Sequence, residues 1–357
     1  MRVKRLSGEN FRNLMPFSVD FCEDTNVIYG DNAQGKTNLI EGLWLFTGAK
    51  SFRAGKDSEL VAFGKSNASL SLDFISGGIE RKAEIKITNR RNAILDEKKL
   101  RSASQLAGNF CAAVFSPTDL SIVKDGPALR RRFIDLAIGQ LYPTYVSVLK
   151  QYTRAIVQRN TLLKGMDGRL KNNEMLDIFE QEIVNEGKKI VEYRIAYCKM
   201  LAENGIKIYE ELSSLKETLD IEYLPSCISE KLAESLYNSR NRDVFSGTTS
   251  VGPHRDDIDF KINGISARTF GSQGQQRSIA ITMKLAEANT LKKITDEQPV
   301  IILDDVMSEL DTDRQAFILN HTKEWQVFIT CCDKENVKPL KDGKIFNVKG
   351  GAITNLK

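Results

Sequence analysis

Eight residues constrain this chain more than any others. Gly30-Asp31-Asn32-Ala33-Gln34-Gly35-Lys36-Thr37 satisfies GxxxxGK[ST], and its surroundings are those the pattern needs in order to act. Residues 26–29 (NVIY) read as a short buried strand. Residues 36–46 then carry Leu39, Ile40, Leu43 and Trp44 at helical spacing. In such a strand–loop–helix unit the glycines let backbone N–H groups turn inward around phosphates, and the helix N-terminus adds partial positive charge. Lys36 reaches toward the β and γ phosphates, and the Thr37 hydroxyl is a ligand for Mg²⁺. The competing reading is an accidental glycine loop. ATP with Mg²⁺ is the expected ligand pair.

The remainder of the chain changes character twice. From Ser69, Leu70, Leu72 and Phe74 alternate, Gly77-Gly78 turns, and Ala83, Ile85 and Ile87 return as the second arm of an antiparallel hairpin. Beyond Asp125-Gly126-Pro127, a helix-start signal, periodic segments run over 128–138, 144–164 and 173–212. The longest keeps an apolar stripe at Met175, Ile178, Phe179, Ile183, Ile190, Val191, Ile195 and Ala196, interrupted at Gly187, which fits packing on neighbours better than a free coiled coil. Strands return after Asp220. Residues 257–262, an Asn263-Gly264 turn and residues 267–270 read as a hairpin, while 300–303 (VIIL) and 327–330 (VFIT) suit central strands covered on both faces, with helical patterns over 275–291 and 312–322. The fold class expected is α/β: a P-loop head with an antiparallel β part, built from 1–118 and 220–357, and an all-helical insert at 119–219. A length of 357 residues accommodates two such bodies, at ~100–200 residues per domain.

Residues 299–305 (PVIILDD) end an apolar strand in paired carboxylates. Asp304 is placed to hold Mg²⁺ through water and Asp305 to polarise an attacking water. An acidic turn after a buried strand is the plain alternative, disfavoured by the P-loop upstream. Before that strand lies Gly271-Ser272-Gln273-Gly274-Gln275-Gln276-Arg277, and after it Ser308-Glu309-Leu310-Asp311. Taken singly, the first is a polar helix-starting loop and the second holds an ordinary N-cap.

Composition narrows the chemistry further. Only His254 and His321 occur, which excludes a multi-histidine metal site, and the six cysteines (22, 111, 198, 227, 331 and 332) show no CxxC spacing, which suits a reducing cytosol. Residues 1–10 have no apolar h-region and no run approaches ~18 apolar residues, so neither export nor membrane insertion is expected. The net charge of +4 is small, but its distribution is uneven. Residues 121–170 hold nine basic side chains (Lys124, Arg130, Arg131, Arg132, Lys150, Arg154, Arg159, Lys164, Arg169) against three acidic ones, and residues 81–101 hold eight against three. Solvated faces and an anion-binding surface are equal readings of such stretches.

The order of the parts resembles the ABC-type ATPase head, in which the Ser-Gly loop of one protomer covers the γ phosphate bound in the P-loop of another. Within that class GDNAQGKTNLIEGLWLFTGAKSFR, FSPTDLSIVKDGPALRRRFID, YTRAIVQRNTLLK, TTSVGPHRDDIDFKING, FGSQGQQRS and LDDVMSELD are similar to the RecF family, bacterial recombination-repair ATPases related to SMC heads. The resemblance implies a cytoplasmic, ATP-dependent homodimer that binds DNA at junctions of duplex and single strand, as found at gaps. It implies work with RecO and RecR to help RecA load, in DNA repair, replication restart and the SOS response. By the same resemblance Ser272, the Gly274 amide and Gln275 meet the γ phosphate across the dimer. Two departures point to weak hydrolysis, a switch rather than a metabolic enzyme. Asp305 is one methylene shorter than the usual Glu, and Cys331 follows VFIT where many ABC ATPases have a switch His. No glutamine for Mg²⁺ is assignable, although Ser116–Asp119 occupies about the right place, and His254 faces nucleotide, DNA or only its own loop. A transporter ATPase subunit is the alternative, disfavoured by the basic helical insert.

Overall fold

Apolar runs without alternation belong to strands covered on both faces, and the chain uses them to build a mostly parallel sheet. The computed structural model describes residues 1–166, 174–332 and 343–356. In chain order the elements are β1 (Arg2–Glu9), β2 (Phe17–Asp20), β3 (Thr25–Tyr29), α1 (Lys36–Trp44), β4 (Ala68–Ser76), β5 (Ile79–Ile87), β6 (Arg91–Leu95), β7 (Lys98–Lys99) and β8 (Ala112–Phe115). Then come α2 (Pro127–Leu141), α3 (Pro143–Lys164), α4 (Glu174–Leu212), β9 (Leu219–Leu224), α5 (Leu232–Ser246), β10 (Asp257–Ile262), β11 (Ile265–Ser266), α6 (Ala267–Phe270), α7 (Gln273–Thr295), β12 (Val300–Asp304), α8 (Thr312–His321), β13 (Val327–Cys331), β14 (Lys344–Lys349) and β15 (Ala352–Asn355).

The chain divides into two compact units: Met1–Ser121 with Arg277–Lys357, and Ile122–Gln276. In the first, a six-stranded sheet runs β15-β14-β3-β13-β12-β8, parallel except for β15 at one edge. A second six-stranded sheet, β2-β1-β4-β5-β6-β7, is antiparallel throughout. Leu39, Ile40, Leu43 and Trp44 bury the apolar face of α1, and a Cβ on Gly42 would meet Phe11 and, from β1 and β4 of the antiparallel sheet, Leu6 and Leu70 at ordinary van der Waals distance. Gln326 stitches the layers. Its Oε1 accepts from Val3 N at 2.6 Å and its Nε2 donates to Val3 O at 2.8 Å, where β1 breaks register between Val3 and Arg5. The bulge frees backbone groups that the buried amide then satisfies.

The second unit corrects the expected boundary. Residues 220–276 belong with the helices, because β9 leaves the end of α4 and pairs with β10, and β10 with the short β11. The hairpin expected over 257–270 stops early: only Ile265–Ser266 pairs, and Ala267–Phe270 is one helical turn. Gly187 does not break α4. A Cβ there would come within 2.9 Å of Leu232 Cδ2 and 3.3 Å of Tyr152 Cε2, so the glycine marks a close approach of neighbouring elements. Of the expected stripe Ile183, Ile190 and Val191 are buried, but Met175, Ile178 and Ile195 are exposed, and Leu176, Glu180, Arg194 and Tyr197 fill the buried face instead.

Charge is what the periodicity missed. Arg159 is fully buried, donating to Glu180 Oε1 at 2.8 Å and to Asp243 Oδ2 at 2.8 Å; Arg194 pairs with Asp135 and Asp256, and Arg130 grips Asp257 with two hydrogen bonds of 2.6 and 3.0 Å. Arg130 and Arg159 are therefore struts of the insert, not part of an anion-binding surface. Arg131 is tied to the Asp256 carbonyl at 2.7 Å, and Asp167 and Arg169 lie outside the described residues. His254 is likewise structural: Nδ1 lies 2.6 Å from the Tyr152 hydroxyl and Nε2 3.0 Å from the Thr249 carbonyl. A carbonyl only accepts, so Nε2 carries the proton, and burial pushes the ring's pKa below the ordinary value.

Breaking a buried ion pair from one side leaves an uncompensated charge. Arg159→Ala is expected to lower unfolding free energy by about 3–5 kcal/mol, while Arg154→Ala, at an exposed position, should stay within about 0.5 kcal/mol of the parent. Urea unfolding of the two variants, with equal losses as the contrary result, checks this assignment.

Candidate nucleotide site

The P-loop turn is built by backbone that only glycine accepts comfortably. Gly30 has φ 155° and Gly35 φ 117°, and a Cβ on Gly30 would stand 2.3 Å from the Val348 carbonyl oxygen. The loop is strapped from outside: Asn13 Nδ2 donates to Ala33 O at 3.1 Å, and the Gly350 and Gly351 amides donate to the Gln34 side chain and carbonyl. Asp31, Asn32 and Ala33 are exposed on its rim. The Lys36 ammonium lies inside it, donating to the carbonyls of Gly30 at 2.7 Å and Asp31 at 3.1 Å.

Thr37 and Asp304 meet. Thr37 Oγ1 donates to Asp304 Oδ1 at 3.0 Å, and Thr330 Oγ1 donates to the same oxygen at 2.8 Å. Asp304 is only 6% exposed, and burial pushes its carboxyl above the ordinary value of 3.8 against the two hydroxyls that hold it down. Two hard oxygen donors side by side fit Mg²⁺, which keeps several waters and takes one or two protein ligands together with phosphate oxygens. Among the described residues no cluster of three or more His, Cys, Asp or Glu could hold a metal by itself.

Asp305 follows in the left-handed region, φ 49°, a conformation disfavoured without glycine and held here by its N–H donating to Thr330 Oγ1 at 2.8 Å. Its carboxylate is half-exposed and accepts no hydrogen bond among the described residues. Asp311 caps α8 by accepting from Arg314 N at 3.0 Å.

Two residues in this unit were invisible as site members in the sequence. Cys331 is buried in β13, and it is Cys332 whose Sγ lies 3.3 Å from Lys36 Nζ and 2.9 Å from Asn32 Oδ1. The signal was register: Cys331 pairs with Tyr29, so the residue after it arrives beside the P-loop. Arg53 donates to Asn38 Oδ1 at 3.0 Å and holds down the Asp304 carboxyl electrostatically. Its loop is set by Ser51, whose hydroxyl accepts from the Arg53 and Ala54 amides and donates to the buried Glu41, itself gripped by Arg12. After β8, the Ser116 amide and hydroxyl both donate to Asp119 Oδ2 at 2.7 Å, closing a turn that contains no glutamine.

Ser272, Gly274 and Gln275 form a loop of the second unit. Ser272 N donates to Gln275 Oε1 at 2.8 Å, and Gln275 N donates to Ser272 Oγ at 3.2 Å, a reciprocal cap at the start of α7. In this signature loop, residues 271–277, capping is compatible with the γ-phosphate contact that the resemblance implies for Ser272, because capping uses an acceptor lone pair and leaves the hydroxyl proton.

Comparison with known proteins decides the family. Residues 2–351 match the RecF/RecN/SMC N-terminal domain model. The DNA replication and repair protein RecF of Clostridium acetobutylicum is 40% identical over 362 residues, covering 99% of both chains. The chain belongs to the RecF family. Two solved structures of the recombination mediator protein RecF in the RecFOR pathway, one with ATPrS and one with ATP, superpose with TM-scores of 0.91 and 0.89 at 35% and 36% identity. They cover 99% and 100% of this chain and 98% of theirs, so the RecF fold extends over both units, including the helical insert that separates it from a bare head. Among the described residues no helix is long and apolar enough to cross a membrane.

The raised pKa of Asp304 has a consequence for stability. An acid whose folded pKa lies above its unfolded value costs stability where it is ionised, and that cost disappears below the unfolded value. Asp304→Asn should therefore melt higher than the parent at pH 7, and the gap should close as pH falls below 3.8. Scanning calorimetry at both pH values checks it; a lower melting temperature at pH 7 contradicts it.

Proposed function

We propose that this chain is an ATP-switched DNA-binding protein of recombinational repair and replication restart, closing into a homodimer when ATP binds. The pairing of Thr37 with Asp304, beside Lys36 in a glycine-built cradle, carries this reading. Lys36 exchanges its two carbonyl partners for β and γ phosphate oxygens, a charge-assisted replacement for neutral hydrogen bonds. Thr37 and Asp304 would hold Mg²⁺, which when bound neutralises charge on the phosphates. Asp305, with a carboxylate unengaged by its own chain, accepts a proton from water, its shorter reach consistent with slow turnover. Ser272, the Gly274 amide and Gln275 cover the γ phosphate held by a second protomer. Relatives named RecF in the RecFOR pathway support partnership with RecO and RecR, and through them RecA loading at junctions of duplex and single-stranded DNA in the cytoplasm.

DNA contacts fall to the basic side chains left over once the struts are set aside. Lys150, Arg154 and Lys164 share one exposed face of α3 and have no ion-pair partner among the described residues. No base-reading motif accompanies them, which supports phosphate contacts.

Three outcomes follow. Lys36→Met should fold and fail to bind ATP, measured by calorimetric titration; tight binding would refute the P-loop assignment. Asp305→Asn should retain ATP-dependent DNA binding and lose about 10²- to 10⁴-fold in steady-state hydrolysis; unchanged turnover removes Asp305 from the mechanism. Combined Lys150→Ala and Arg154→Ala should flatten the plot of log DNA affinity against log salt by about 0.9 per lost duplex contact, at unchanged ATP affinity. An unchanged slope moves the surface to the exposed lysines and arginines of 81–101.

A further inference from the structure

We propose that Glu217 is a positioning residue for the signature loop, joining Gln275 to the end of the long helix α4. This rests on the composite-site reading given above. The carboxylate of Glu217 is shared between two donors: Gln275 Nε2 reaches Oε1 at 2.7 Å, and the hydroxyl of the buried Tyr209, in the last turn of α4, reaches Oε2 at 2.6 Å. A carboxylate only accepts, so it dictates which end of the Gln275 carboxamide faces it. The other end, Oε1, is thereby turned to the Ser272 amide, the bond that closes the reciprocal cap. Glu217 acts on Ser272 through Gln275, whose carboxamide joins the two.

The backbone that delivers Glu217 is the turn leading from α4 into β9. After α4 the chain makes a turn in which Ser214 and Leu215 both lie in the left-handed region, φ 53° and 61°, without a glycine. Leu215 is 79% exposed, so the turn does not exist to bury it. What the turn achieves is reversal: Leu215 N returns to Glu210 O at 2.8 Å, and the following Thr218 is pinned through its amide and hydroxyl to Asn263 Oδ1 at 2.9 and 3.1 Å. Glu217 is held between these two fixed points and brought back against Tyr209. The signature loop is thus braced by the insert's longest helix, along which anything bound to the insert would act.

The test measures ATP-dependent dimerisation by analytical ultracentrifugation alongside ATP affinity of the monomer, for the full chain. Glu217→Leu removes both acceptors and should weaken dimerisation about tenfold, the loss of a hydrogen bond to a charged group, with monomer ATP affinity unchanged. Glu217→Gln keeps an acceptor for Gln275 and a polar partner for Tyr209, and should remain within about threefold of the parent. Glu217→Ser, too short to span both partners, reads the same quantity should the leucine variant fail to fold. Parent-like dimerisation of Glu217→Leu, with Ser272→Arg unable to dimerise, overturns this assignment and leaves the composite site standing. Equal loss in the Gln and Leu variants also overturns it, since charge rather than bond geometry would then be acting. Normal dimers of Ser272→Arg refute the composite site, and this assignment falls with it.

Discussion

One carboxylate oxygen, Asp304 Oδ1, accepts from Thr37 at the start of α1 and from Thr330 on β13. Through it the helix that follows the P-loop is tied to two neighbouring parallel strands, β12 and β13, while β3, which feeds the loop, pairs with β13 on its other side. The same residue sits almost fully buried, where burial penalises its charge. A charge kept in a place that disfavours it is the kind of local conflict found at sites built for a ligand. Around that point the backbone is also at its most constrained, with Gly30 and Gly35 on one side and left-handed Asp305 on the other.

The insert works by a different economy of charge. Its interior is crossed by arginines, Arg130, Arg159 and Arg194, each matched to carboxylates from elements far apart in sequence. Such pairs add little stability compared with apolar residues of the same volume, yet each is expensive to break from one side, so they select one arrangement of the helices over its competitors. That rigidity has a use at the far end of α4, where Tyr209 and Glu217 reach the loop carrying Ser272.

Legibility in the sequence followed the range of the interactions. Strand β3, the P-loop and α1 were readable because the motif is contiguous and its physics local; β12 and β13 were readable as unbroken apolar runs. The site members Arg53 and Cys332 were hidden, since their roles come from a loop braced by Glu41 and from strand register. The buried face of α4 was misread because Glu180 and Arg194 occupy core positions that a hydrophobic count scores as surface. For the same reason Arg130 and Arg159 looked like an anion-binding face, and residues 220–276 looked like part of the head until the pairing of β9 with β10 placed them.

The central claim is that one nucleotide is held by two protomers, and mixing two defective chains tests it most directly. Lys36→Met spoils the P-loop and keeps the signature loop; Ser272→Arg does the reverse. A heterodimer of the two contains one intact composite site, so ultracentrifugation of the mixture should show ATP-dependent dimers that neither variant forms alone. If the parent dimerises with ATP and the mixture stays monomeric, the site is not shared between protomers and the account is wrong.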